Sequence, residues 1–216
     1  MLHGEEDYGI KKCGEMMGRW LFLFIKRTFD IVLSSILLLL LLPFFPILAF
    51  IIKYQSPGPL FFLQERTGLN GRTFMMYKFR SMHINDESHS LQATHNDPRK
   101  YPFGHFMRRM SIDELPQLFN ILKGDMSLIG PRPHMLAHTV EYTHQIPYYM
   151  ERHAVKPGLT GWAQVKGWRG PTPELWQMEG RVMCDLWYVD HQSLWVDIKI
   201  LFLTVKIVLF PDEGAT

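Results

Sequence analysis

This sequence predicts a mainly helical α+β fold in a monotopic membrane protein, one that enters the lipid from a single side. An apolar segment from Ile31 to Ile52 carries two prolines, which predicts a kinked, re-entrant helix. Alternating patterns on either side of a glycine-rich turn predict a small β-hairpin. Helical patterns follow, and the last one, from Leu194 to Phe210, predicts a helix lying in the membrane interface.

The segment from Ile31 to Ile52 is long enough to cross a bilayer, since a helix rises about 1.5 Å per residue. A transmembrane helix is therefore the first alternative. Pro43 and Pro46 oppose it, because each removes a backbone hydrogen bond at a depth where water cannot replace it. We therefore favour a bent segment over a straight span.

Basic residues flank this segment on both sides, and positive charge favours the cytosolic side of a membrane. They are Lys11, Lys12, Arg19, Lys26 and Arg27 before it, and Lys53, Arg66, Arg72, Lys78 and Arg80 after it. A simple span would place one of the two groups outside the cell. A re-entrant hairpin keeps both groups on the same side.

The C-terminal pattern is shorter and carries Asp197, Lys199, Thr204 and Lys206 on two opposite stripes. A helix in the interface with snorkelling lysines fits this pattern. A buried core helix is the alternative.

Between the membrane segments, Leu60–Arg66 and Thr73–Arg80 are predicted strands around Gly68-Leu69-Asn70-Gly71. Helices are predicted at Ser111–Lys123, His134–Gln145 and Glu174–Val189. The predicted organisation is a basic interfacial segment (1–25), a re-entrant helix (26–55), a cytosolic catalytic domain (56–192) and a C-terminal interfacial helix and tail (193–216).

Composition excludes several classes of protein. The 23 basic and 21 acidic residues nearly balance, so nucleic acid is not an expected partner. Two cysteines, Cys13 and Cys184, form no disulfide framework. His134 and His138 have metal-ligand spacing, but no third zinc ligand is evident.

Asp113 and Glu114 are the candidate catalytic residues. Ser111-Ile112-Asp113-Glu114 also fits a capping box, in which these acidic residues only stabilise a helix start. Pro116 argues against a helix that begins at Ser111, because its missing N–H falls where a donor is needed. A helix that begins later leaves Asp113 at its mouth, where one carboxylate can attack while its neighbour holds a metal.

Four basic residues are candidate substrate ligands. Lys78 and Arg80 lie two apart on a predicted strand and so share a face. Arg132 lies between two prolines that stiffen its loop, which suits a phosphate ligand. Arg169 lies in Gly167-Trp168-Arg169-Gly170, where the glycines allow the backbone to approach a ligand closely. Solvated surface groups and contacts to anionic lipid are the alternatives.

From about Lys26 to Phe210 the chain resembles the bacterial sugar transferase family, the monotopic phosphoglycosyl transferases. The resemblance rests on the proline-kinked apolar segment and on motifs in a fixed order: Lys78-Phe79-Arg80-Ser81-Met82, Asp113-Glu114-Leu115-Pro116-Gln117-Leu118-Phe119-Asn120, Gly130-Pro131-Arg132-Pro133, Lys156-Pro157-Gly158-Leu159-Thr160-Gly161-Trp162, and Asp185 with Tyr188. Gly167-Trp168-Arg169-Gly170 is similar to the undecaprenyl-phosphate glucose phosphotransferases, many of which carry extra N-terminal parts. A minimal member and a trimmed catalytic unit are both consistent with this chain.

The resemblance implies a mechanism and a location. Asp113 would attack the phosphorus that bears the sugar of a UDP-sugar, with UDP-glucose or UDP-galactose favoured, and release UMP. Glu114 would bind Mg²⁺, and undecaprenyl phosphate would then take the sugar phosphate. Lys78, Arg132, Arg169 and Asp185 match charged positions of the family's site. The expected location is the cytoplasmic face of the bacterial inner membrane, in contact with the bilayer, and self-association stays open.

Other functions remain alternatives at this point. A membrane phosphatase, or a glycosyltransferase that releases UDP, would use similar charged groups. A membrane-anchored scaffold would use the basic residues to hold anionic lipid and would not need Asp113.

Overall fold

The computed structural model describes residues 3–84 and 97–210, with side chains described from residue 18 onwards. Its α-helices are α1 (His3–Leu41), α2 (Phe45–Gln55), α3 (Pro102–Arg109), α4 (Gln117–Lys123), α5 (Leu136–Gln145), α6 (Trp162–Val165), α7 (Leu175–Asp190) and α8 (Leu194–Leu209). Strands β1 (Phe61–Thr67) and β2 (Thr73–Phe79) form an antiparallel hairpin, and β3 (Ser127–Ile129) and β4 (Gly158–Thr160) form a short parallel pair. The predicted mainly helical α+β class, with a long apolar N-terminal helix and a small hairpin, is confirmed.

The hairpin turns within a short 3-10 segment, Leu69–Gly71, where Asn70 and Gly71 both have positive φ. Asn and Gly tolerate positive φ better than other residues do, so this pair favours a tight turn at this position. The register pairs Thr67 with Thr73, so alternate residues of each strand face the same side. Met76 is buried on the inner face, and Lys78, two residues on, lies on that same face.

Among the described residues, three clusters of buried side chains form the core. The first is built from α4, β2, β3 and α8, and its members include Met76, Leu118, Ile121, Met126, Ile129 and Ile200. The second joins α5 to α7 through Tyr142, Ile146, Tyr149, Met178 and Val182. The third packs Ile52 of α2 against Phe79, Tyr101 and Met107. Each fully buried aliphatic side chain contributes about 1.5–3 kcal/mol, so these clusters fix the relative placement of the elements around the hairpin.

The N-terminal apolar segment contains two helices separated by a 3-10 turn, Leu42–Phe44. Pro43 lies in that turn, and Pro46 lies in the first positions of α2, where a missing N–H leaves no hydrogen bond unmade. Within the described residues, Gly18–Gln55 is the one helical stretch long and apolar enough to cross a membrane. The mean hydropathy of its 18-residue apolar core is 2.8, and 6% of that core is buried.

The α1 side of this segment is anchored on the globular domain by buried polar contacts. Lys26 Nζ lies 2.5 Å from Asp197 Oδ2 of α8 and donates to the carbonyl of Ile129 at 3.1 Å. Asp30 Oδ1 accepts from the backbone N–H of Leu128 at 3.0 Å. These charged groups therefore attach α1 to β3 and α8.

The α2 side is anchored on the same domain. Ile52 is fully buried, and Gln55 Oε1 accepts from the backbone N–H of Phe103 at 2.9 Å. The ring of Phe45 packs edge-on against Phe79, with centroids 5.5 Å apart. Both ends of the apolar segment consequently contact one folded unit.

Helix α8 buries Asp197 and exposes a row of apolar side chains, and its two lysines, Lys199 and Lys206, are exposed as well. Asp197 is buried against Lys26, and Thr204 hydrogen-bonds Thr160 at 2.7 Å. Exposed large apolar side chains recur at intervals of three and four along the outer face: Trp195, Ile198, Phe202, Val205 and Leu209. A water-facing helix has the opposite arrangement. Residues 211–216 of the predicted C-terminal tail lie outside the described part of the chain.

Candidate active site

The Asp113–Glu114 pair lies in a 3-10 turn, Ile112–Glu114, and not in an α-helix. The predicted continuous helix from Ser111 is wrong, because α4 begins only at Gln117, directly after Pro116. Proline supplies no N–H, so the chain makes a tight turn before the α-helix starts. This places the two acidic residues in the connection that leads into α4.

The capping-box explanation also fails. Ser111 has a left-handed backbone, with φ of 57°, and caps no helix with its side chain. Its Oγ instead accepts a hydrogen bond from Arg169. The acidic pair therefore has no helix-capping role.

Glu114 is the fixed partner of the pair. Its Oε1 accepts from Lys78 Nζ at 2.9 Å and from Arg132 Nη2 at 2.6 Å, and its Oε2 lies 3.3 Å from Arg132 Nη1. The residue is 8% exposed. Burial alone would raise the pKa of Glu114, but the two cations outweigh it and hold the pKa well below its ordinary value. Glu114 is thus an ionised carboxylate at neutral pH.

Asp113 is the free partner. It is 4% exposed, and among the described residues no group hydrogen-bonds its carboxylate. Burial raises the pKa of Asp113, with Lys78 opposing the rise and the neighbouring Glu114 carboxylate adding to it. Two adjacent carboxyl groups therefore have opposite pKa shifts, an arrangement that suits different chemical roles.

Lys78 reaches the pair from the inner face of β2 and also lies close enough to Asp113 to lower its pKa. Burial in turn lowers the pKa of the Lys78 ammonium group, with Glu114 opposing that shift. Arg132 reaches the pair from the loop of residues 130–133. Here Gly130 lies against the backbone of Lys156, with room for no Cβ, and its N–H donates to the carbonyl of Thr160 at 2.9 Å.

Asp185 lies elsewhere. Its carboxylate accepts from Arg152 Nε at 2.9 Å and from Arg152 Nη2 at 2.6 Å, and both side chains are buried. Arg152 Nη2 also donates to the carbonyl of Arg132 at 2.7 Å. Within the described residues, hydrogen bonds connect Asp185 to the Arg132 loop through Arg152, and the Asp185 side chain makes none to the carboxylate pair.

Arg80 and Arg169 are placed differently from each other. Arg80 follows the last residue of β2, and its guanidinium donates to the backbone carbonyls of Ser56 and Pro57, which attaches the end of α2 to the domain. Arg169 is half-buried and donates to Ser111, two residues before Asp113. Among the predicted site residues, Lys78, Glu114 and Arg132 are in direct contact, Arg169 borders the turn, and Arg80 serves the α2 junction.

The chain from Lys26 to Phe210 carries these groups within a region that matches a protein family. Residues 21–211 match the family described as Bacterial sugar transferase. The chain belongs to the bacterial sugar transferase family.

Three relatives of this sugar transferase chain illustrate the range. A UDP-glucose:undecaprenyl-phosphate glucose-1-phosphate transferase of Escherichia coli (strain K12) is 51% identical over 84% of this chain and 39% of its own length. A UDP-N-acetylgalactosamine-undecaprenyl-phosphate N-acetylgalactosaminephosphotransferase of Aeromonas hydrophila is 43% identical over 91% of this chain and 46% of its own. Exopolysaccharide production protein PSS of Rhizobium leguminosarum bv. phaseoli is 45% identical over 89% of this chain and 98% of its own.

The chain spans about two fifths of the length of the Escherichia coli relative and nearly all of the Rhizobium one. The sugar named differs between the Escherichia coli and Aeromonas relatives. The names of the Escherichia coli and Aeromonas relatives therefore agree on undecaprenyl phosphate as the acceptor and differ in the sugar of the donor.

Three arginines of this sugar transferase that act on the pair or on its supporting loop were not predicted from the sequence. Arg108, at the end of α3, lowers the pKa of Asp113, and Arg152 holds the Arg132 loop. Burial, followed by the charge of Arg132, lowers the pKa of Arg66 to about 9. Arg66 could have been predicted from the hairpin register, because its side chain lies on the same face as Lys78. Arg108 and Arg152 could not, because they reach the site only through tertiary contacts.

Proposed function

We propose that this chain transfers a sugar 1-phosphate from a UDP-sugar to undecaprenyl phosphate and releases UMP, by way of a covalent phosphosugar on Asp113. The observation that carries the proposal is the contrast within the acidic pair. Asp113 has no hydrogen-bond partner among the described residues, whereas three donor contacts hold Glu114. A nucleophile needs a free oxygen, and its neighbour needs a fixed one. The names of the relatives support the same overall reaction.

In the first half-reaction an oxygen of Asp113 attacks the phosphorus that bears the sugar. The bond from this phosphorus to the bridging oxygen breaks, and UMP leaves with that oxygen. Asp113 becomes an acyl phosphate carrying the sugar. Lys78 and Arg132, both held beside Asp113 by Glu114, would offset the charge of the phosphoryl oxygens, and such preorganised charge is usually the largest contribution that a site makes.

In the second half-reaction a phosphate oxygen of undecaprenyl phosphate attacks the same phosphorus. The bond to Asp113 breaks, the carboxylate is restored, and the lipid carries the sugar diphosphate. No proton needs to be gained or lost overall. The basic groups near the pair, which include Arg66 and Arg108, give the site the positive charge that a second anionic substrate requires.

Magnesium is the expected cofactor, and the donor set fits an ion that arrives with its substrate. Among the described residues no group of three or more His, Cys, Asp or Glu side chains could enclose a metal. Mg²⁺ commonly takes one or two protein carboxylates and completes its shell with phosphate oxygens and water. Glu114 would hold it, since its Oε2 has only a 3.3 Å contact to Arg132. Bound there, Mg²⁺ would neutralise charge on the diphosphate.

We also propose that the apolar segment is re-entrant and that the protein is monotopic, on the cytoplasmic face of the bacterial inner membrane. Two observations support this. The residues on both sides of the segment, Lys26 with Asp30 and Ile52 with Gln55, attach to one globular domain. A straight helix of this length would place the two anchoring sites about 33 Å apart, on opposite sides of the bilayer. One globular domain could contact both sites only if it entered the lipid.

The outer face of α8 extends the membrane contact. The apolar side chains of its outer face are exposed while Asp197 is buried, and its exposed Lys199 and Lys206 can extend towards the lipid headgroups, as expected for a helix in the membrane interface. The exposed residues of α1, of the 3-10 turn and of α2, such as Leu39, Phe44 and Phe50, fit the same surroundings. The carboxylate pair would then lie near the depth of a lipid phosphate.

Among donors we favour UDP-glucose or UDP-galactose, in an exopolysaccharide pathway. The Escherichia coli relative is named for glucose, and the Rhizobium relative for exopolysaccharide production. The first of these shares 51% identity with the chain.

The test is an assay of the purified chain with undecaprenyl phosphate, Mg²⁺ and a panel of UDP-sugars. The proposal expects UMP and a lipid-linked sugar diphosphate with one donor, and neither product with Asp113→Asn. Release of UDP would identify a glycosyltransferase, and release of inorganic phosphate from the lipid would identify a phosphatase. A scaffold would give no product and would tolerate Asp113→Asn in the cell.

A further inference from the structure

The loop of residues 167–170 brings Arg169 to the catalytic turn. Gly167 has a φ of 92°, which turns the chain sharply after α6. Arg169 then donates to Ser111 Oγ, and Ser111 itself holds a left-handed backbone immediately before the Ile112–Glu114 turn. An arginine has many rotamers, so a fixed loop is needed to keep its guanidinium at this position.

A single side chain of α7 fixes the loop on both sides of Arg169. Arg181 is 4% exposed; its Nε donates to the carbonyl of Trp168 at 3.0 Å, and its Nη2 donates to the carbonyl of Gly170. These two carbonyls belong to the residues before and after Arg169. A guanidinium carries its N–H donors on three nitrogens of a planar fork and so reaches both carbonyls, whereas a lysine ammonium carries its three donors on a single nitrogen.

The preceding residue of α7 provides a second contact. A Cβ on Gly180 would lie 2.7 Å from the indole ring of Trp168, so the ring lies directly against the helix backbone. Glycine is unfavourable inside a helix, and this packing gives it a reason to be there. The indole also meets Trp176 edge-on, with centroids 6.0 Å apart, which limits its room to move.

We propose that Gly180 and Arg181 are positioning residues that hold the 167–170 loop so that Arg169 reaches the catalytic turn. This inference rests on the proposed function for its effect on catalysis. The loop contacts themselves are independent of that function. Arg169 thereby reaches Ser111, two residues before Asp113, from a loop that α7 holds.

The first experiment measures how tightly the loop is held. Trypsin cuts after Lys166 and Arg169 can be followed by mass spectrometry in the intact chain and in Gly180→Ala and Arg181→Lys. We expect cleavage at these two sites to rise about tenfold in both variants, because a released loop opens more often. Val182→Ala is the matched control: its side chain is buried on α7 against the second core cluster, away from the loop. It should destabilise α7 packing without faster cleavage there.

The second experiment asks whether the effect on UMP release passes through Arg169. Gly180→Ala should lower kcat/KM about tenfold or more in the parent chain, because it displaces the loop that carries Arg169 to the turn. In an Arg169→Met background the same change should have no further effect. This lack of additivity distinguishes positioning from general destabilisation.

Unchanged cleavage in both loop variants would overturn the proposal, and so would fully additive losses of kcat/KM. If the parent chain releases no UMP from any UDP-sugar, the proposed function fails, while the cleavage measurement still decides whether α7 holds the loop. Faster cleavage in Gly180→Ala is especially informative, because alanine favours the helix and so removes helix loss as the explanation.

Discussion

Arg152 and Asp185 form an ion pair in which both side chains are almost completely buried, and the same guanidinium donates to the backbone carbonyl of Arg132 at 2.7 Å. The aspartate thus fixes an arginine, and that arginine fixes the loop whose side chain holds Glu114. Burial raises the pKa of Asp185 while Arg152 opposes the rise. The sequence predicted Asp185 as a substrate ligand, and this chain of contacts supports a role in shaping the Arg132 loop.

Asp185→Asn should therefore damage both stability and activity. It leaves the Arg152 guanidinium buried without its counter-charge, which costs about 3–5 kcal/mol. Chemical denaturation should show that loss of unfolding free energy, and UMP release should fall with it. Lys123→Gln is the control, because the Lys123–Asp125 pair is exposed and should contribute less than about 1 kcal/mol. Equal stabilities for Asp185→Asn and the parent would contradict this account.

The acid limb of the pH profile should follow Asp113. Its pKa is raised, so Asp113 takes up a proton before Glu114 as the pH falls, and the nucleophile is lost in that range. Lys78 opposes the rise, so Lys78→Met should move the midpoint of the acid limb to higher pH, whereas Lys78→Arg should leave it nearly unchanged. The measurement is the pH dependence of sugar-phosphate incorporation at saturating donor. A midpoint that moves to lower pH in Lys78→Met would be the wrong sign.

The linkage to stability has opposite signs for the two carboxyl groups. The raised pKa of Asp113 makes the folded state bind its proton more tightly, so its contribution is greatest in acid and declines as the pH rises through that pKa. The pKa of Glu114 is lowered, so Glu114 stabilises the fold at pH values above the ordinary pKa of a glutamate. This stabilisation is lost as the pH falls from that value through the lowered pKa. Glu114→Gln should therefore flatten the loss of stability at low pH in urea titrations.

Topology can be tested with single cysteines, after Cys13 and Cys184 are replaced by serine. Arg19→Cys and Arg72→Cys change exposed side chains on opposite sides of the apolar segment. A re-entrant segment predicts that both sites resist an impermeant thiol reagent in intact cells and react after permeabilisation. Labelling of Arg19→Cys alone in intact cells would establish a span.

Local chemistry made much of the fold predictable. The Asn70-Gly71 turn set the hairpin register, and the alternation of residues then placed Lys78 on the inner face. Arg80 escaped this reasoning because β2 ends at Phe79, and its partners, Ser56 and Pro57, lie at the end of α2.

The contact of Glu114 with Lys78 and Arg132 joins residues that the sequence had singled out, whereas the residues that support them were not predicted. The sequence around Ser111 fitted both a capping box and a catalytic turn, and Pro116 was the local feature that favoured the second. Arg152 and Arg181 act through contacts to residues far away in the chain, which no spacing in the sequence reveals.

The central claim is that Asp113 forms a covalent phosphosugar, and the most direct test omits the lipid acceptor. Enzyme mixed with Mg²⁺ and a UDP-sugar labelled in the sugar should release at most one UMP per active site and retain one labelled sugar phosphate on the protein. Asp113→Asn should abolish both, because an amide is a very poor nucleophile at phosphorus. Glu114→Gln should be severely impaired, with partial recovery at raised Mg²⁺, because a neutral amide is a weaker ligand for a hard cation.

Mass spectrometry of the peptide that contains Asp113 decides the question. The account predicts the added mass of a sugar phosphate on that residue, and its disappearance, with formation of the lipid product, when undecaprenyl phosphate is supplied. Direct attack by the lipid phosphate would give neither UMP nor retained label without the acceptor. That result, or retained label in Asp113→Asn, would contradict the account.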